Sequence, residues 1–321
     1  MQQPLHWVEQ FPSPRYSVLM RVIRFDQIKY IQRFASGCTF YFSDNKDFPR
    51  MKLKIAYILS VFIAILAALT SIGGLLRPDL YRDNLFVKTT WLGNDAVTLF
   101  IAVPILIAAL VYSAKGSSKG QLIWMGMLDY MLYNYAFYLF GAAFNVFFLL
   151  YAALLALSII ALIFGLTNLD INRISQQMRK EAPVRWIGGY FLFVASGLGL
   201  VYLIQSINFI ATGNVPAIVT MSGHPTNVVF ALDLTLLIPW LILGALWLMK
   251  RQPWGYVIAG ILNVKGPLYT LVLAVNSILV VNAGIAQTSE LPLWGTLTVL
   301  GLIASVLFYV NMRSENESEK R

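Results

Sequence analysis

Cysteine, histidine and charge are all scarce in this chain. One cysteine, Cys38, and two histidines, His6 and His224, stand among 321 residues. An intrachain disulfide is excluded, as are Cys–His zinc sites, CxxC redox pairs and HExxH helices, each of which needs more of these residues than the chain has. Charged residues make up 12%, about half the 25% usual in a soluble domain, so the chain lacks the polar surface to face water all round. Walker loops, GxGD pairs and haem-ligand histidine pairs do not occur. Ser196, in the run VASGLG at 194–199, resembles a buried serine nucleophile, but no apolar run holds a histidine to activate it. Ala195, Ser196, Gly197 and Gly199 read instead as a surface for close helix approach. No cofactor is implied.

What is abundant is apolar sequence: 58% of residues are hydrophobic and the mean hydropathy is +0.67. Apolar runs of membrane-spanning length recur. They predict an all-α polytopic bundle of eight spans at 55–76, 96–114, 121–141, 146–167, 187–208, 228–249, 256–277 and 294–311. The net charge of +9 lies between the runs and forms no stripe on a soluble module, which excludes a nucleic-acid reading. With both termini inside, thirteen Lys and Arg from Met51 onward fall in cytoplasmic segments and three (Arg77, Arg82, Lys88) in outer loops, the sign the positive-inside rule requires. Trp91, Trp124, Trp186, Trp254 and Trp294 fall near span ends, where interfacial aromatics belong.

Residues 1–50 differ from the rest. Arg15, Arg21, Arg24, Lys29 and Arg33 interleave with apolar residues as in a surface helix on an anionic leaflet. The restart MKLK at Met51, running straight into apolar sequence, favours an upstream extension with little structure and a natural start at Met51. The polar loop 168–186 divides the remainder into 51–167 and 187–312, each with four spans, followed by a solvated tail at 313–321.

An echo connects these halves. Asp95, Thr98-Leu99, Pro104, the loop 115–120 and Gly126 in the first are answered by Asp233, Thr235-Leu236, Pro239, the loop 250–255 and Gly260 in the second. Because four is even, the halves would form a parallel repeat about an axis along the membrane normal.

Ionisable groups inside spans are costly, by about 2.5–3.5 kcal/mol on insertion scales, and mark sites by default. Counted from their span starts, Asp129 is about 12 Å deep and Lys265 about 13–14 Å deep, so the two are expected to face each other near the midplane. Tyr133 and Asn134 flank Asp129, and Asn263 and the Gly266-Pro267 break flank Lys265. Together these predict a midplane pocket, with proline freeing backbone carbonyls to coordinate a ligand. Asp233, about 7–8 Å deep, and His224 in the loop above it are expected to line an outer vestibule. Asp95 is expected to cap or complement the dipole of a helix N-terminus.

The segment DYMLYNYAFYLFGAAFNVFFLLY at 129–151, the span with DLTLLIP at 233–239 and the Pro-Trp-Gly loop at 253–255 resemble a pattern seen in bacterial multi-pass membrane proteins of unassigned function. The resemblance implies a bacterial inner-membrane protein and transfers no functional residue. Two functional classes follow from the residues themselves. One is recognition or transport of a small solute or ion at the pocket; the other is a non-catalytic membrane subunit or scaffold in which the same pair locks the bundle. A membrane enzyme acting on lipid or quinone has no nucleophile–base or metal set to support it.

Overall fold

The computed structural model describes residues 47–314; the expectations for the N-terminal extension and most of the tail lie outside them. The described chain is an all-α polytopic bundle, and each of the eight expected spans matches a long helix, with 146–167 starting two residues early and 294–311 ending one residue late. These are α1 (Asp47–Leu76), α2 (Leu85–Ala114), α3 (Ser118–Gly141), α4 (Phe148–Thr167), α6 (Val184–Thr212), α8 (Val228–Met249), α9 (Pro253–Asn282) and α10 (Leu291–Val310). Two short helices, α5 (Ile171–Gln177) and α7 (Ala217–Ser222), lie in the connections.

Seven of the long helices are apolar and long enough to cross a membrane. The eighth, α3, has the length, 24 residues, or about 36 Å at 1.5 Å per residue. Its polar side chains suit it to the protein interior rather than to lipid. Neighbours cover it on most sides: α2, α4 and α9 pack along it and the start of α8 lies against it. α9 is the other central helix, packed on α2, α3, α8 and α10. The outer helices turn apolar side chains away from the bundle, among them Ile58, Phe62 and Leu69 of α1 and Leu200, Ile204 and Ile207 of α6. A shell of this kind suits a hydrocarbon surrounding.

The echo in the sequence has a backbone counterpart, in a register that needs no gaps. α2 and α8 each contain one wide turn, at Thr98–Ala102 and Asp233–Leu237. In both, the bond that closes it reaches five residues back, from the Val103 N–H to the Thr98 carbonyl and from the Ile238 N–H to the Asp233 carbonyl. Pro104 and Pro239 follow directly, and a proline, having no N–H, cannot close a regular turn there. At the same separation, Lys115 and Lys250 end their helices in one conformation (φ −80°, ψ 3° and φ −82°, ψ 3°). Gly116 and Arg251 then adopt positive φ, 88° and 53°. Ser117 and Gln252 return their N–H groups to the Tyr112 and Trp247 carbonyls, and Gly120 and Gly255 pass against the preceding helix, where a β-carbon would strike backbone. This register pairs Thr98 with Asp233, so the expected match of Asp95 with Asp233 is replaced by one a turn away.

Contacts gather the loops at two ends. At one, the Arg179 N–H donates to the Asn311 carbonyl, the Arg313 N–H to the Gln177 carbonyl and Arg251 to the Lys180 carbonyl. At the other, Asn84 reaches the Met221 and Ser222 carbonyls, and Asp83 accepts from Trp91 Nε1 and the Ala143 N–H. The predicted close approach at Gly197 does not occur, since nothing lies within reach of a β-carbon there. The tight point of α6 is Gly188, against Met249 and the Ala245 carbonyl of α8.

Candidate functional site

The structure brings Asp129 of α3 and Lys265 of α9 together: Nζ lies 3.2 Å from Oδ2. The crossing that allows this is made at Gly126, one turn before Asp129, where α3 lies on the backbone of α9. Lys265 is fully buried, whereas 18% of the Asp129 side chain is exposed. The ammonium makes two further contacts. It donates to the Leu236 carbonyl at 3.2 Å, inside the wide turn of α8, and it lies 4.9 Å from the centre of the Tyr133 ring, within the range of a cation–π interaction.

Tyr133 connects this pair to a second acid. Its hydroxyl donates to Asp233 Oδ1 at 2.6 Å, while Tyr202 of α6 and Tyr269 of α9 donate to Asp233 Oδ2 at 2.5 and 2.8 Å. Tyr133 and Tyr269 meet edge to face at 5.3 Å. Asp233 is therefore a fully buried carboxyl within a cage of three hydroxyl donors, with Lys265 as its neighbouring cation. The outer vestibule expected of Asp233 and His224 is not formed, because the inward turn of α8 carries Asp233 into the Lys265 cluster. His224 stays in the α7–α8 loop, its backbone N–H bonded to Ser222 Oγ.

The other expected residues fall nearby with separate partners. Asn134 donates to Thr98 Oγ1 at 3.4 Å, and the Tyr130 hydroxyl meets the same oxygen at 3.3 Å. In the repeat register Asn134 corresponds to Tyr269 and Tyr130 to Lys265, so one copy has a neutral Thr–Tyr–Asn set where the other has Asp–Lys–Tyr. Asn263 is buried with neither amide atom partnered by protein. Pro267 does free the carbonyl four residues earlier, that of Asn263, but Ser305 Oγ of α10 takes it. The break is filled by a helix contact rather than held open for a ligand.

Asp95 is not a helix cap. Asn84 caps α2, accepting the Val87 N–H at 3.0 Å, and the helix runs on through Asp95, which is 2% exposed. Its carboxyl accepts from Tyr81 at 2.6 Å and from Tyr138 at 2.9 Å, with Ser71 as a further partner. Tyr81 lies outside the spans; burial and then the Asp95 charge push its hydroxyl up, so it remains a donor. Tyr202 and Tyr138 escape sequence reasoning because a tyrosine in apolar sequence looks like interfacial belt, and Tyr81 because it sits in a charged connection. The available signal is an Asp in an apolar run, whose two oxygens demand donors once buried.

Two surface pockets, of about 340 and 320 Å³, lie at the basic end between α5, α8 and α9 and beside Arg185 and Arg251; none of the cluster residues lines them. Lys265 and Asp233 are fully buried. Among the described residues no group of three His, Cys, Asp or Glu converges as a metal site would require. No family model, curated protein or solved structure matches the chain.

Proposed function

We propose that the protein binds a small solute or ion within the membrane and carries it across, with Asp129, Lys265 and Asp233 as the binding station. The observation that supports this most is the gathering of one ammonium with two carboxyls, one paired with it and one neighbouring it. Burying charge is costly unless it is balanced, and a group of two acids and one base is balanced only when a further positive charge is present. The wide turn of α8, which offers the Leu236 carbonyl to the same ammonium, is a backbone irregularity of the kind that marks sites. The Lys and Arg distribution supports an orientation with the 115–120, 168–186 and 250–255 loops in the cytoplasm, and the sequence resemblance supports a bacterial inner membrane.

The burial of Lys265 and Asp233 favours a second reading, a membrane subunit or scaffold whose charges lock α3 to α9. Thermal unfolding of the full chain in detergent, against a panel of ions and small solutes, separates the two. A ligand at 100 times its Kd adds about 2.7 kcal/mol of stability. Binding at the cluster predicts a stabilising hit that Asp129→Asn abolishes. A flat panel, with the cellular phenotype kept when Asp129→Lys and Lys265→Asp are combined, supports the scaffold.

A further inference from the structure

We infer that the extra positive charge is a proton, that Asp129 is the residue that takes it, and that Asp233 is the fixed anion to which Lys265 turns when it does. This deepens the proposal above and rests on the same cluster.

The two carboxyls are built differently. Asp233 receives three hydroxyl protons, one on Oδ1 and two on Oδ2. A carboxylate accepts only, while a carboxylic acid must donate one hydrogen bond of its own, so three donors favour the anion against the cost of burying it. Donors aimed at both oxygens also leave little for a metal ion, which needs six or more oxygen ligands if it is calcium and a near-ideal octahedron if it is magnesium. Asp129 has none of this support. Its partner is the Lys265 ammonium, and of the two acids it is the one that is partly exposed.

The titratable groups facing the pair are Tyr133 from α3, Tyr202 from α6, Asp233 from α8 and Tyr269 from α9. Tyr130 of α3 points instead to Thr98 of α2. As the chain is folded, Lys265 is paired with Asp129 and has Asp233 as a second, neighbouring acid. When a proton adds to Asp129 Oδ2, that oxygen becomes neutral and its ion pair with Nζ is lost. The ammonium keeps its charge and its Leu236 carbonyl, and its remaining attraction is to Asp233 across the face of Tyr133. Loss of the proton restores the pair. The lysine thus changes partner without changing charge, and the contact that joins α3 to α9 weakens at the step that brings a proton in.

The test is infrared difference spectroscopy of the purified full chain in lipid discs as pH is lowered, with every aspartate labelled with heavy carbon at its carboxyl. The expected result is a protonated-carboxyl band that carries the isotope shift. It should leave the labelled set in Asp129→Glu, replaced by an unlabelled glutamate band, and survive in Asp233→Asn. If Asp129→Glu does not fold, Asp129→Asn must remove the same band. Absence of any titrating aspartate band, or a band that persists in Asp129→Glu or is lost in Asp233→Asn, overturns the inference. Ligand stabilisation without Asp129 titration would leave the proposed function standing and sink the proton; titration without any ligand would do the reverse.

Discussion

A β-carbon placed on Gly126 would stand 2.6 Å from the Val264 β-carbon and 2.9 Å from the Ile261 carbonyl oxygen. α3 and α9 therefore touch through backbone at this point, one turn from the Asp129–Lys265 pair. Backbone cannot swing aside as a flexible side chain can. Gly126→Ala should cost about 1–3 kcal/mol, as other overpacked interiors do, and weaken the ion pair beyond it. Denaturant or thermal unfolding in detergent measures the loss; a variant as stable as the parent would show that the crossing has slack.

Breaking the pair from one side leaves a charge unbalanced. Asp129→Asn should destabilise the protein by up to about 3–5 kcal/mol, the range for a buried pair, and less to the extent that Asp129 reaches solvent. Lys265→Met added to it should recover part of that loss. Double-mutant coupling of about 0.5–3 kcal/mol is expected, and strictly additive losses would show that the two residues do not interact.

The three donors to Asp233 can be removed one at a time. Tyr133→Phe, Tyr202→Phe and Tyr269→Phe should each cost about 1.5–3 kcal/mol, the worth of a hydrogen bond to a charged group. Tyr133→Leu should cost more than Tyr133→Phe because it also removes the ring under the Lys265 ammonium. Equal unfolding midpoints for the Phe and Leu variants would remove the cation–π contact from the account.

At the second acid, Gly74 lies under the carboxyl: a β-carbon there would stand 2.1 Å from Asp95 Oδ2 and 2.4 Å from the Tyr81 hydroxyl. Gly74→Ala should push both away, and its destabilisation should match or exceed that of Tyr81→Phe. Because the site is separate from the Lys265 cluster, the combination of Gly74→Ala with Tyr269→Phe should be additive to within about 0.5 kcal/mol. A larger departure would mean that the two acids communicate.

The pairing of Asp129 with Lys265 was legible in the sequence because depth along a helix is a simple count, and two opposite charges at one level have few other ways to be satisfied. The place of Asp233 was harder to read. Matching it to Asp95 by letter is natural, yet the wide turns and the prolines after them align it with Thr98, and a wide turn before Pro239 alters the direction of every residue that precedes it. The start of α2 at Leu85 was hidden by Lys88, Asn94 and Asp95, which look like loop, although Asp95 is buried with Tyr81 and Tyr138 as its donors. α3 was found as a span by length, although its face of tyrosines and Asn134 turns inward; the same polar residues that lower its hydropathy build the site.

The two wide turns each hold one more residue than a regular helix would use, and a residue in an α-helix accounts for about 100° of rotation. The halves of α8 on either side of Asp233–Leu237 are thus out of phase by roughly that angle. Deleting a single residue from that turn would act as a crank: the stretch from Val228 to Leu232 would rotate by more than a quarter turn, and the Val228 and Leu232 side chains, now buried against Tyr133 and Ala136, would be swung off α3 with no change in their composition.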